Sequence, residues 1–120
     1  MIIEVIFDGR HLTITPDPAH ARVGEDVDWL MLASDPSHRS GQFASLHWEV
    51  YFDHGSPFIP PLPALQVTTR FDPPVAMVHR GMVKAGRAQR PGDYKYGVRL
   101  FSSASRDPLE DEDPNLLITP

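Results

Sequence analysis

The stretch His47-Trp48-Glu49-Val50-Tyr51-Phe52-Asp53 decides the fold. Trp48, Val50 and Phe52 share one side of an alternation, and His47, Glu49 and Tyr51 share the other. A period of two belongs to a strand with one buried face, so the stretch predicts a β-strand with Trp48 in the core. The same pattern recurs on either side of it. Ile3, Val5 and Phe7 alternate with Glu4 and Ile6 before an Asp8-Gly9 turn. His11 to Thr15 alternates again, and Pro16 and Pro18 stop it. An extended piece around 21–23 leads to a turn at Gly24-Glu25-Asp26. Val27, Trp29 and Met31 then alternate with Asp28, Leu30 and Leu32, which predicts Trp29 as a second core tryptophan.

Towards the C-terminus the pattern is more broken. Residues 34–45 are polar and loop-like, and 55–63 carry four prolines, which lack the amide donor a central ladder needs. Residues 64–71 read as a strand. In 75–90, Gly81 and Gly86 argue against a helix and the reading is two short strands. After a Pro91-Gly92 turn, Tyr94, Tyr96, Val98 and Leu100 alternate with Lys95, Gly97, Arg99 and Phe101. Residues 102–114 read as a polar, acidic loop, and 116–119 as a last strand. About eight short strands with turn residues between them predict an all-β, Greek-key antiparallel sandwich, a single domain over residues 1–120.

Composition narrows the chemistry. The 120 residues are 41% apolar, enough for one core, and contain no cysteine. Disulfides, thiolate nucleophiles, iron–sulfur clusters and cysteine-ligated metals are thereby excluded. The N-terminal stretch has no basic segment, and no run approaches the roughly 18 apolar residues of a membrane helix; the expectation is a cytoplasmic protein with no membrane partner. The net charge of −5 is segregated. Residues 80–106 hold seven basic residues against Asp93 alone, whereas Asp107, Glu110, Asp111, Glu112 and Asp113 follow at once. Such segregation bears on association rather than on fold.

Three motifs, in order, carry a family resemblance: Val23-Gly24-Glu25-Asp26-Val27-Asp28-Trp29, His47-Trp48-Glu49-Val50-Tyr51-Phe52, and Pro91-Gly92-Asp93-Tyr94-Lys95-Tyr96. Together they resemble a cupredoxin-like domain of the plastocyanin and azurin type, over roughly residues 2–119. The resemblance implies a seven- or eight-stranded sandwich and a blue-copper site of two histidines, a cysteine and usually a methionine. His47 matches the first histidine. The cysteine position is Val98, the second histidine falls near Phe101, and the methionine near Arg106. The resemblance therefore implies the fold without blue copper. Independently, Tyr94 just after a tight turn is placed to bond backward to the backbone, as in the tyrosine corner of Greek-key sandwiches.

The remaining candidates are weighed from residue chemistry. His38, His47 and His54 lie on or beside the decisive strand and are weak metal candidates, with no HxH, HxxxH or HExxH spacing. The acidic run lacks the spacing of a calcium loop and reads as solvated chain that neutralises the basic block. Gly81 to Arg87 lacks the end of a phosphate loop, and no serine stands in a nucleophile motif. Few aromatic residues interleave with the basic block of this acidic protein, so nucleic acid is not an expected partner. The proline-rich loop carries Phe58, Ile59 and Leu62, either as a stiff contact surface or as cover for the sandwich. The expectation is a non-catalytic interaction or assembly module with no cofactor. It would contact a protein partner or itself through Phe58, Ile59, Leu62, Arg87, Lys95 and Arg99. Two alternatives stand beside it: a metal-binding protein using His47 with His38 or His54, and a ligand binder or enzyme using the former copper end as a pocket.

Overall fold

Two-residue alternation governs the backbone that forms. The computed structural model describes residues 1–8, 10–34, 45–52, 54–58, 64–70, 78–102, 108 and 110–120. Among them there is no helix, and eleven strands form. The first four are β1 (Ile2–Phe7), β2 (Leu12–Thr15), β3 (Ala19–Arg22) and β4 (Asp26–Ser34). They are followed by β5 (Ser45–Tyr51), β6 (Ala64–Arg70) and β7 (Val78–Arg87). The last four are β8 (Gly92–Lys95), β9 (Gly97–Ser102), β10 (Glu110–Glu112) and β11 (Asn115–Thr119).

These strands make three sheets, ordered β2-β1-β4-β7, β10-β9-β5-β6 and β3-β11-β8. Most pairings are antiparallel, but β1 runs parallel to β4 and β11 parallel to β3. Tyr96 alone separates β8 from β9, and its N–H donates to the Pro114 carbonyl at 3.1 Å. One run of chain thus begins in the third sheet and continues in the second. The arrangement is an all-β sandwich around a shared core.

Most of that core follows the alternation, with Leu46, Leu116 and Ile118 added by the fold. Ile3, Val5 and Phe7 face in from β1, Val27, Trp29 and Met31 from β4, and Leu46, Trp48 and Val50 from β5. Val98 and Leu100 join them from β9, and Leu116 and Ile118 from β11. At its centre Trp29 meets three rings edge-on: Tyr96 at 5.5 Å, Phe58 at 6.2 Å and Phe52 at 6.3 Å between centroids. Edge-to-face contacts of this kind add about 0.5–1.5 kcal/mol each beyond area burial. Inside this cluster the Trp29 indole N–H and the Tyr96 hydroxyl are each other's polar neighbour, and neither makes a well-formed hydrogen bond. Burial pushes the Tyr96 phenol far up from its ordinary value, so it stays protonated.

Several expectations change. Residues 75–90 do not hold two short strands; from Val78 on, one ten-residue strand pairs with β4 along its length. Gly81 pairs in register with Met31, and Gly86 lies at a bulge. Val27 pairs with Gly86 and Asp28 with Lys84, which leaves Ala85 as the extra residue and Gly86 at φ +91°. The acidic stretch is not all loop, since Glu110–Glu112 forms β10 against β9. Tyr94 donates its hydroxyl to the Arg90 carbonyl at 3.0 Å, the expected backward bond, but its ring is only half-buried and Tyr96 takes the core position. Residues 35–44 and 71–77 lie outside the described residues. Among the described residues, no helix is long and apolar enough to cross a membrane.

Two substitutions test this core. Trp48→Ala is expected to cost about 3–5 kcal/mol in chemical denaturation, and a loss below about 1 kcal/mol would place the ring outside the core. Tyr96→Phe removes a buried hydroxyl that makes no well-formed hydrogen bond, so stability is expected to hold or rise by up to about 1 kcal/mol; a clear loss would show that hydroxyl to be bonded.

Candidate functional site

The outer face of the second sheet gathers the charged residues. Register fixes them in a row: Glu49 of β5 lies opposite Arg99 of β9, which lies opposite Asp111 of β10. The Arg99 guanidinium stands 3.3 Å from the Glu49 carboxylate through Nη1 and 3.7 Å from the Asp111 carboxylate through Nε. It also lies 3.8 Å above the centroid of the Tyr51 ring. Tyr51 donates its hydroxyl to Asp111 Oδ1 at 2.9 Å. This reach across β9 depends on Gly97, the cross-strand partner of Tyr51. A Cβ at position 97 would collide with the Tyr51 ring, so any larger residue there displaces the ring from under Arg99.

Beyond β10, Lys95 at the end of β8 in the third sheet pairs with Asp113 at 3.1 Å in an exposed salt bridge. Beside it opens a cleft of about 410 Å³, rimmed by Tyr51, His54, Lys95, Asp111 and Asp113. Burial and the hydrogen bond to Asp111 push the Tyr51 phenol up, against a lowering by Arg99. A phenol kept protonated and a guanidinium held between two carboxylates supply neither a base nor a nucleophile at neutral pH. Among the described residues, no group of three histidines or carboxylates could hold a metal ion.

The candidate residues are scattered by the fold. Phe58 is 1% exposed and belongs to the Trp29 cluster, so it covers the core and is not a contact residue. It is held there by a bridge to Ala88 and by the Ser56 hydroxyl, which accepts the Phe58 N–H at 3.1 Å. Ile59, Leu62 and His38 lie outside the described residues. Arg87 is exposed near one end of the first sheet, 4.0 Å from Asp26. Lys95 and Arg99 are not a free basic surface, because the acidic residues downstream neutralise them. His47 sits on the outer face of β5 with its ring 6.0 Å from Phe101. His54 rims the cleft beside Tyr51, beyond the end of β5. Position 98, which the resemblance pairs with His47, faces the core, whereas His47 faces outward.

The outer face of the first sheet is different, and the candidate set passed it over. Three register rows cross it: Ile2, Asp28 and Lys84; then Glu4, Leu30 and Met82; then Ile6, Leu32 and position 80. Ile2 is 52% exposed and Met82 40%, and Ile6, Leu30 and Leu32 are half-buried. Five large apolar side chains therefore share a solvent-facing sheet surface. The signal was present in the sequence: β1 and β4 carry apolar residues on both sides of their alternation. A strand with two apolar faces expects cover on both.

The Tyr51 geometry gives a pH test. Its raised phenol contributes stability that is fully present below the unfolded value, about 10, and is lost as pH rises through the folded value. Asp111→Asn removes the acceptor charge and is expected to bring the Tyr51 titration down towards the ordinary value, read by carbon-13 NMR of labelled tyrosine. An unchanged titration would separate the hydroxyl from Asp111. Compared with protein-family models and with curated proteins, the chain matches none.

Proposed function

We propose that this chain is a cupredoxin-like β-sandwich without a blue-copper site, acting as a non-catalytic protein-interaction module in the cytoplasm. The three sequence motifs in their order and the all-β sandwich support the fold part of the reading, while the parallel pairs β1–β4 and β3–β11 depart from the antiparallel sandwich expected from the sequence. The observation that carries the functional part is the contrast between the two outer faces. On the second sheet, cation and carboxylate are matched within the chain. On the first sheet, five large apolar side chains share the outer face, Ile2 and Met82 exposed and Ile6, Leu30 and Leu32 half-buried. Contiguous exposed apolar surface on a folded domain marks a contact site.

Site-specific photocrosslinking in the native host tests this. A photoreactive residue in place of Met82 is expected to give a protein adduct of defined mass, and one in place of Lys95 none. Equal labelling from both positions, or none from position 82, would overturn the reading.

A further inference from the structure

We propose that the β10 side of β9 is a binding site for an extended acidic peptide, and that the chain's own residues Glu110–Asp113 fill it as an internal stand-in. The site is separate from the apolar face of the first sheet and stands or falls without it. The argument begins with what holds β10. Its residues are Glu110, Asp111 and Glu112, and Asp113 follows, so the segment contains no apolar side chain. At the edges of the other two sheets, β2 buries Leu12 in the core and β3 buries Ala19 and Ala21. In β10, Glu110 is half-buried and the other two residues are exposed. The segment is held by the ladder to β9 and by charge. Asp111 accepts the Tyr51 hydroxyl at 2.9 Å and faces Arg99 Nε at 3.7 Å, and Asp113 meets Lys95 at 3.1 Å. The Asp111 side chain is 46% exposed and that of Asp113 70%, so each pair contributes little and is screened by salt.

The receiving side is built without β10. When the segment leaves, β9 becomes a sheet edge whose N–H and C=O groups accept a further strand, the mode by which sheets take extended peptides. Arg99 stays in place, because Glu49 at 3.3 Å and the Tyr51 ring at 3.8 Å hold its guanidinium from β5. The cleft of about 410 Å³ is lined by Tyr51, His54, Lys95 and Gly97 of the receiving side and by Asp111 and Asp113 of the segment, so departure of the segment opens it. Pro114 is buried and its carbonyl accepts the Tyr96 N–H, and the Asn115 N–H donates to Asp17, so β11 stays anchored meanwhile.

Register sets the specificity. Residues two apart in a strand share a face, so the site reads acid at alternate positions. One carboxylate goes to Arg99 and the Tyr51 hydroxyl, and the next but one to Lys95, as Asp111 and Asp113 do now. The basic block of the sequence and the acidic run behind it are then receptor and plug. A tethered plug competes at an effective concentration in the millimolar range, so an outside peptide binds the resting chain poorly.

Fluorescence anisotropy at low salt, with the full chain and a labelled peptide of residues 108–114, is the test. Asp111→Asn with Asp113→Asn keeps the side-chain shapes and removes the charges. It is expected to loosen the segment and tighten peptide binding about tenfold over the parent. Asp113→Asn alone, at an exposed position, is expected to give part of that gain in a chain with the parent circular dichroism. The double variant is expected to lose the gain when Lys95→Gln and Arg99→Gln are added, or when the peptide carries asparagine in place of both aspartates. On the unmutated chain, the ladder amides between β9 and β10 are expected to exchange faster than those between β5 and β9, and faster again as salt rises. Peptide binding no tighter in the variants than in the parent, equal binding of the asparagine peptide, or β10 amides as protected as those of β5 would each overturn the proposal. So would an opened variant that binds an oligonucleotide in preference to the peptide.

Discussion

Trp29 is the constraint on which the structure depends. It stands on β4, the inner strand of the first sheet, and reaches Tyr96, the residue where the chain leaves the third sheet for the second. It also touches Phe52, at the end of β5, and Phe58, in the segment that follows. One indole therefore bears on every layer at once. Aromatic rings carry more buried area than any aliphatic residue, so a single packing site replaces the long inter-sheet contacts that larger sandwiches share among many leucines. The poorly bonded Trp29 N–H and Tyr96 hydroxyl are the cost of setting two amphipathic rings at this junction.

From that junction outward, the two exposed surfaces follow opposite rules. On the second sheet, side-chain register does the sorting. Gly97 leaves room for the Tyr51 ring, the ring supports the Arg99 guanidinium, and carboxylates from β5 and β10 close on it from both sides. Each exposed pair contributes little alone, but shared partners hold the group in one geometry. On the first sheet Arg87 meets Asp26 at one end, and along the rest of the outer face apolar side chains stand among charges that form no ion pair among the described residues.

Much of the fold was legible because alternation is local. Ile3, Val5 and Phe7, then Trp29, then Trp48 and Val50 each announced their facing within a few residues. What was not legible depended on distant pairing. Glu110–Glu112 has no intrinsic strand character and becomes β10 only because Arg99 and its neighbours offer a ladder and opposite charge. Gly81 and Gly86 argued against a helix and the stretch read as two short strands, yet β4 pairs with one continuous strand through both, with the extra residue Ala85 in a bulge. Phe58 was ambiguous because proline-rich sequence fits an exposed spacer as well as a cover; only the position of Trp29 decides it. The apolar outer face was visible in Leu30 and Leu32, but its extent needed the parallel register of β1 beside β4.

The place of β11 has a consequence for biosynthesis. It is the middle strand of its sheet, and its neighbours come from residues 19–22 on one side and 92–95 on the other. A nascent chain can lay down β1, β2 and β4 as they emerge, but β3 and β8 have nothing between them until residues 115–119 clear the ribosome. The apolar edges meant for Leu116 and Ile118 stay open throughout that interval. Translation speed and chaperone access thus govern yield in this protein more directly than in one whose central strands are made first.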